Sequence, residues 1–173
     1  ENMQSTLRFI CYFLATSLLI ACLFIITTGL LLRGSLPQYD GETVLSGLSS
    51  SVSIDRDTLG SVTFTGQDRL DLAMAMGYVH AQERFFEMDL MRRQAAGELA
   101  KLLGSGLITH DRKARQFRMR SRASAVLQQL PAEQLQLLDA YRIGVNQGMQ
   151  ALAVRPFPYL LTQTQPAAGR NED

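Results

Sequence analysis

From Phe9 to Leu32 the chain runs through 24 consecutive uncharged positions (32 − 9 + 1), filled mainly by Leu, Ile, Phe, Ala, Cys and Thr. A helix of that length extends roughly 36 Å, against a hydrocarbon core of about 30 Å, so the run predicts a single membrane-spanning helix. The following residues, 33–51, are rich in Gly and Ser with Pro37, and read as a flexible tether. Ser51–Asp55 and Ser61–Phe64 then alternate polar with apolar around Asp57-Thr58-Leu59-Gly60, which predicts two short strands joined by a turn.

The period changes after the second strand. Thr65-Gly66-Gln67-Asp68 fits a capping box, with Thr65 as the cap and Asp68 reaching back to its amide. Leu72, Met76, Val79 and Phe86 give the ensuing helix an apolar face, and the helix is expected to continue with a bend to about Gly97. Glu98–Leu103 reads as one more short helix, closed by Gly104 in the left-handed conformation. Pro131 suits the first turn of a further helix, with Glu133 near the positive end of its dipole. Its stripe is Leu135, Leu138, Tyr141, Val145, Met149 and Leu152. Gly144 and Gly148 each cost that helix about 1 kcal/mol relative to Ala, so their shared face is expected to pack closely against another element. From Arg155 the pattern dissolves among Pro156, Pro158 and Pro166, and the chain reads as cut short at Asp173.

Composition adjusts this picture in three places. Arg8 precedes the apolar run as in a secretory signal, but the run is longer than the usual signal core of about 7–15 residues, which favours an uncleaved anchor. Leu19-Ile20-Ala21-Cys22 resembles a lipoprotein cleavage box, yet further apolar residues follow Cys22 where a polar tether is expected. Arg8 and Arg33 bracket the span symmetrically, so charge alone does not orient it. Cys11 and Cys22 both lie in the span, about 16 Å apart along the axis, too far to bridge. The net charge of +1 points to neither nucleic acid nor an acidic partner. One basic stretch stands out, Arg112, Lys113, Arg115, Arg118, Arg120 and Arg122, with no acid among them from Arg112 onward. It reads as a solvated face or as ion pairs with further parts of the fold, with a phosphate or lipid-headgroup patch as the alternative.

The run Gly77-Tyr78-Val79-His80-Ala81-Gln82-Glu83-Arg84-Phe85-Phe86-Glu87-Met88-Asp89-Leu90-Met91-Arg92-Arg93, with Gly97 after it, resembles the penicillin acylase (penicillin amidase) family. That family carries G-Y-x-x-A-Q-[DE]-R, an aromatic or Leu pair, then M and R-R with a following Gly. Asp57-Thr58-Leu59-Gly60 resembles its D-x-x-G turn, and Ala140-Tyr141-Arg142-Ile143-Gly144-Val145-Asn146 its A-Y-x-x-G-x-N helix. Gly77, Tyr78, His80, Gln82, Arg84, Arg92, Arg93, Tyr141, Gly144 and Asn146 carry the resemblance as a structural motif. Two departures stand out. Gly60-Ser61-Val62-Thr63-Phe64 lacks the family's Pro and His after the turn, and Gly169 occupies the aromatic position of its P-x-x-W.

The resemblance implies an N-terminal-nucleophile hydrolase whose precursor cuts itself, so that the new N-terminal Ser of a second chain attacks an amide carbonyl. It places the nucleophile, oxyanion donors, calcium ligands and acyl-pocket helix beyond the position of Asp173. No catalytic residue or metal ligand is therefore expected here, the substrate-binding residues are unknown, and calcium is left to the complete enzyme. His80 invites a general-base role, but no Ser or Cys here has a motif that would use it, and a hydrogen-bonded structural histidine is favoured. Arg92 and Arg93 near Glu83, Glu87 and Asp89 suggest either a carboxylate site or helical ion pairs, and the spacing of Asp89 and Arg93 favours the pairs. His110 and Asp111 lack a third neighbouring metal ligand.

The expected molecule is thus an α+β fragment, mostly helical outside the membrane, and part of a larger αββα hydrolase fold. It comprises a flank (1–8), a transmembrane anchor (9–32), a flexible linker (33–51) and a truncated acylase-like segment (52–173). Its expected partners are membrane lipid, the rest of its α-chain and a catalytic β-chain from the same precursor, with no nucleic acid. Its expected place is the bacterial inner membrane, single-pass, with the soluble part in the periplasm or outside. The alternative is a non-enzymatic, membrane-anchored helical module that binds a partner.

Overall fold

The computed structural model describes residues 2–172; Glu1 of the expected flank and Asp173 of the acylase-like segment lie outside them. The first helix, α1 (Asn2–Gly34), takes up the whole apolar run. Within it the most apolar 18-residue stretch of Thr6–Gly34 has a mean hydropathy of 2.6, and none of that stretch is buried against the rest of the fold. By length and composition this helix is sufficient to cross a membrane. Thr16, Ser17 and Thr27 donate their hydroxyls one turn back, to the carbonyls of Tyr12, Phe13 and Leu23 at 2.7–2.9 Å, which satisfies these polar groups without water. Cys11 and Cys22 are free thiols on its exposed surface.

Strands β1 (Ser53–Arg56) and β2 (Val62–Thr65) pair antiparallel, with Ile54 opposite Phe64 and Arg56 opposite Val62. The apolar members of these pairs pack over the helical core. In the connecting turn, Asp57 Oδ1 accepts from the amides of Leu59 (2.9 Å) and Ser61 (2.8 Å), and Gly60 adopts φ +81°. These amides, led by Ser61, hold the Asp57 carboxyl below its ordinary pKa. The turn therefore requires both its Asp and its Gly.

Helix α2 (Arg69–Ala96) starts later than the capping-box reading expects. Asp68 is itself the cap, accepting from the amides of Leu70 (2.6 Å) and Asp71 (3.2 Å), because Thr65 is held in the β-ladder opposite Ser53. The expected bend lies at Arg84, whose φ −139° and ψ 21° leave the helical region, and Gly97 closes the helix at φ +67°. Its buried face comprises Met74, Tyr78, Ala81 and Phe85 together with Val79, whereas Met76 of the expected stripe is exposed.

Helices α3 (Ala100–Leu103), α4 (Ile108–Gln116) and α5 (Met119–Leu127) follow, with a 3-10 turn at Ser105–Leu107 between the first two. Gly104 does not form the expected αL cap; it is at φ +100°, ψ 172°, a positive-φ conformation outside the αL region, and its amide still bonds the Ala100 carbonyl. Asp111, considered with His110 for a metal, is buried and accepts from the amides of Leu99 (3.0 Å) and Ala100 (2.8 Å), capping α3 from α4. In the basic stretch, Arg115 donates to the Gly97 carbonyl and Arg120 pairs with Glu98. Burial alone would raise the Glu98 pKa, but Arg120 and Lys101 outweigh it and the net shift is downward.

Helix α6 (Ala132–Ala151) begins one residue after Pro131, which serves as its cap position. It makes the most extensive helix contact of the fold, with α2. The contact is between main chains: a Cβ on Gly77 would collide with the Tyr141 carbonyl oxygen, one on Gly144 with that of Met74, and one on Gly148 with that of Tyr78. Leu138, by contrast, is 40% exposed despite its place in the expected stripe. Beyond α6, where sequence pattern fails, five residues still fold into a short helix, α7 (Phe157–Leu161), which buries Tyr159 completely.

Part of the expected flexible linker is docked. Leu45 is buried in the cluster of Met74, Tyr78, Val79 and Ala140. Gln147 of α6 holds Ser46 in a reciprocal pair, accepting from its amide at 3.0 Å and donating to its carbonyl at 2.8 Å. Asp71 receives the amide and hydroxyl of both Ser49 and Ser50 at 2.7–2.9 Å. These four donors, first the Ser49 amide, bring the Asp71 pKa down to about 2. What reads in sequence as polar, featureless chain is the complement of one buried carboxylate.

Two outcomes follow from this packing. Gly144→Ala should lower the unfolding free energy by about 1–3 kcal/mol, read as a lower urea midpoint, because backbone cannot move aside as a side chain can; an unchanged midpoint would contradict the contact. For Asp71 the folded pKa is depressed, so its contribution is complete above the ordinary carboxylate value and disappears as pH falls toward about 2. Between pH 4 and 2, the midpoint of the wild-type chain should therefore fall more steeply than that of Asp71→Asn, whose side chain does not titrate.

Candidate functional site

The kink at Arg84 divides α2 into a half that packs on α6 and a half that carries a buried polar centre. Asp89, on the second half, has a fully buried side chain. It pairs with Arg92 Nε at 2.7 Å three residues on and with Arg93 Nε at 2.7 Å four residues on, so helical spacing supplies both cations. Tyr159 of α7 donates its hydroxyl to the other carboxylate oxygen at 2.6 Å. Burial, reinforced by the Asp89 charge, raises the Tyr159 pKa far above its ordinary value and keeps it a donor. Phe85 and Phe86 pack on the same tyrosine, Phe86 edge-on with centroids 5.2 Å apart.

The centre reaches outward through Arg92. Its guanidinium also donates to the carbonyls of Ala167 (3.0 Å) and Ala168 (3.4 Å). Asn146 of α6 takes the next residue, donating to the Gly169 carbonyl at 3.3 Å and accepting from its amide at 2.9 Å. Two motif residues from different helices thus fasten one extended segment. Between this segment, the second half of α2 and α6 lies a cleft of about 460 Å3, floored by Phe85, Met88, Leu138 and Val145 and rimmed by Arg92, Arg142 and Asn171. Arg142 pairs with Asp139, and this contact holds the Asp139 pKa down.

His80 lies away from that cleft's polar rim. Its Nδ1 is 3.0 Å from the Tyr141 hydroxyl, with the rings edge to face. Burial lowers its pKa, with Arg84 adding and Glu83 opposing, and burial likewise raises that of Tyr141. The contact joins α2 to α6. Tyr78 and Gln82 form a second buried pair, Gln82 donating to the Tyr78 hydroxyl at 2.8 Å. Arg84 is exposed at the kink. Arg56 fixes the hairpin to α2 through Glu83 at 2.7 Å and lies 4.8 Å from the Tyr39 ring centre, beside a second cleft of about 570 Å3 under the docked linker.

Of the residues singled out in the sequence, nine of the ten therefore act at contacts within or beside the α2–α6 pair, and Arg84 marks the bend. The polar centre was visible only in part. The Asp89–Arg93 spacing is a sequence signal, whereas nothing near Tyr159 indicates that it would complete the centre from seventy positions away. Asn146 was recognisable as part of a motif but not as the clamp on Gly169.

The family model described as Penicillin amidase matches residues 51–172. The penicillin acylase 2 proenzyme of Pseudomonas sp. (strain SE83) is 34% identical over 135 residues, covering 78% of this chain and 17% of that protein. The acyl-homoserine lactone acylase QuiP of Pseudomonas aeruginosa is 33% identical over 112 residues, covering 65% and 13%. A solved thermostable penicillin G acylase from Alcaligenes faecalis superposes with a TM-score of 0.63 at 25% identity, over 70% of this chain and 67% of that one. The matched part of the chain spans less than a fifth of the length of these two curated relatives.

The polar centre sets a stability test. Asp89→Asn leaves two largely buried guanidiniums without their counter-charge and should destabilise the fold by about 3–5 kcal/mol. Tyr159→Phe removes one donor and should cost about 1–3 kcal/mol. Denaturant titration of both variants checks the order, and a Tyr159→Phe loss as large as that of Asp89→Asn would contradict it.

Proposed function

The chain belongs to the penicillin amidase family, and we propose that it is the membrane-anchored N-terminal segment of an acylase that hydrolyses amide bonds. The observation carrying this reading is the match across residues 51–172, a range that contains the helix pair and its polar clamps. The bond would be that of a β-lactam side chain, an acyl-homoserine lactone or a similar amide, in keeping with the names of the relatives.

In this reading the residues described here do not perform the chemistry. His80 is engaged with a tyrosine, and Asp89 is enclosed by two arginines and a tyrosine, so neither is available as a base. The nucleophile would be the N-terminal Ser of a second chain cut from the same precursor, with its own α-amino group as base and backbone or Asn donors holding the oxyanion. Calcium, where the complete enzyme binds it, would be held by residues outside those described. The present helices would brace the αββα core, and α1 would hold the enzyme on the outer face of a bacterial inner membrane as a single span. The exposure of its whole apolar surface supports that assignment.

The complete gene product should hydrolyse a phenylacetyl amide or a fatty-acyl homoserine lactone after cutting itself, and both events should be lost when the new N-terminal Ser is changed to Ala. A gene product that neither cleaves itself nor hydrolyses any of a broad acyl panel would overturn the reading. The anchor has its own check: the mature protein should remain in the membrane fraction after an alkaline wash with α1 intact, and recovery of a soluble form starting beyond Arg33 would show a cleaved signal instead.

A further inference from the structure

The end of α1 is fastened to the rest of the fold. The amide of Val154, just past α6, donates to the Gly34 carbonyl at 3.0 Å, and a Cβ on Gly34 would strike the Val154 side chain. Phe157, the first residue of α7, follows Val154 so closely in the chain that even full extension keeps it within about 11 Å of this junction. Gly34 itself stands about 3 Å along the axis beyond Leu32, and the headgroup layer outside the hydrocarbon core is roughly 5–8 Å deep. With α1 in a bilayer, α7 is therefore held in or against the headgroup layer.

The two sides of α7 differ. On one, Tyr159 is buried and bound to Asp89, and Arg155 closes the segment by donating to the Thr164 carbonyl at 2.7 Å. These ties prevent Phe157 and Leu161 from turning inward. One helical turn apart, they share the opposite side and are 50% and 77% exposed. Leu36, just after the anchor, is 65% exposed. Residues 33–39 and 152–166 carry Arg33 and Arg155 and no acid, so no charge in either segment opposes an anionic headgroup surface.

We propose that α7 is a second membrane contact, in which Phe157 and Leu161 enter the headgroup–acyl boundary of the leaflet from which α1 emerges, with Leu36 beside the anchor. That boundary accepts aromatic and aliphatic side chains presented on one side of a helix. Lipid is selected as the occupant by the Gly34–Val154 bond, which sets these side chains at that depth. Because Tyr159 ties α7 to α2, the contact fixes how the α2–α6 pair stands on the bilayer. The inference rests on the reading of α1 as an uncleaved span.

The test uses the complete gene product with Cys11→Ser and Cys22→Ser, reconstituted in vesicles of phosphatidylcholine and phosphatidylglycerol. It carries one environment-sensitive fluorophore on Phe157→Cys, Leu161→Cys or, on the hairpin turn, Leu59→Cys, a position 89% exposed. At positions 157 and 161 the emission should shift to the blue, lose most of its intensity to a lipid bearing a nitroxide just below its headgroup, and resist aqueous iodide. At position 59 iodide should quench and the nitroxide should not. Quenching of position 161 by iodide and not by the nitroxide, in protein still embedded through α1, would overturn the inference and leave the anchor and the acylase reading intact. Protection of positions 157 and 161 from both quenchers would also overturn it, by assigning the face to a protein contact. Recovery of a soluble product starting beyond Arg33 would remove the anchor and this inference together, and acylase activity in that product would keep the enzymatic reading.

Discussion

The closest approach in the fold is between main chains, where Gly77 of α2 meets the Tyr141 carbonyl and Gly144 and Gly148 of α6 meet those of Met74 and Tyr78. Glycine inside a helix costs about 1 kcal/mol relative to alanine, and here the helices recover that by dispersion contacts that any Cβ would prevent. The spacing fixes what can face what. At this separation His80 reaches the Tyr141 hydroxyl, Ala81 fits beside Gly148, and Phe85 and Val145 share one apolar cluster with Tyr159. Were the helices a methyl group further apart, each of these contacts would have to be remade.

A second layer of order is polar and grows from the first. Once the bend at Arg84 has turned the end of α2, Asp89 and its two arginines stand where α7 can deliver Tyr159. A buried carboxylate with three donors stabilises chiefly by being complete, since removal of any partner leaves charge or a donor stranded in low dielectric. Arg92 and Asn146 then extend the arrangement to residues 167–169, which have no regular structure of their own. Asp71 does the same on the other side, with Ser49 and Ser50. In both places, carboxylates and amides on helices organise chain that is otherwise irregular.

This arrangement suits a scaffold. The titratable groups at its centre are committed to structural partners, and the longest run of open apolar surface lies along α1. Of the two departures from the family pattern, the one at Gly169 falls at the cleft wall.

Sequence by itself determined the features that are local or periodic. The apolar run specifies α1, alternation specifies the hairpin, Asp57 and Gly60 specify its turn, and the ordered motifs from Gly77 to Asn146 specify the family. Gly144 and Gly148 even announced a close contact, because glycines inside a strong helix have few other reasons to be there. Sequence could not say which face of α2 lies inward, since Met74, Tyr78 and Phe85 are selected over Met76 by the position of α6. Nor could it show that Asp68 displaces Thr65 as cap, which depends on strand pairing with Ser53. The docked serines, the α7 tyrosine and the clamp on Gly169 join residues separated by about twenty to seventy positions. Such contacts leave no periodic trace, because each joins a helix to chain that has no regular pattern of its own or to a short element far along the sequence.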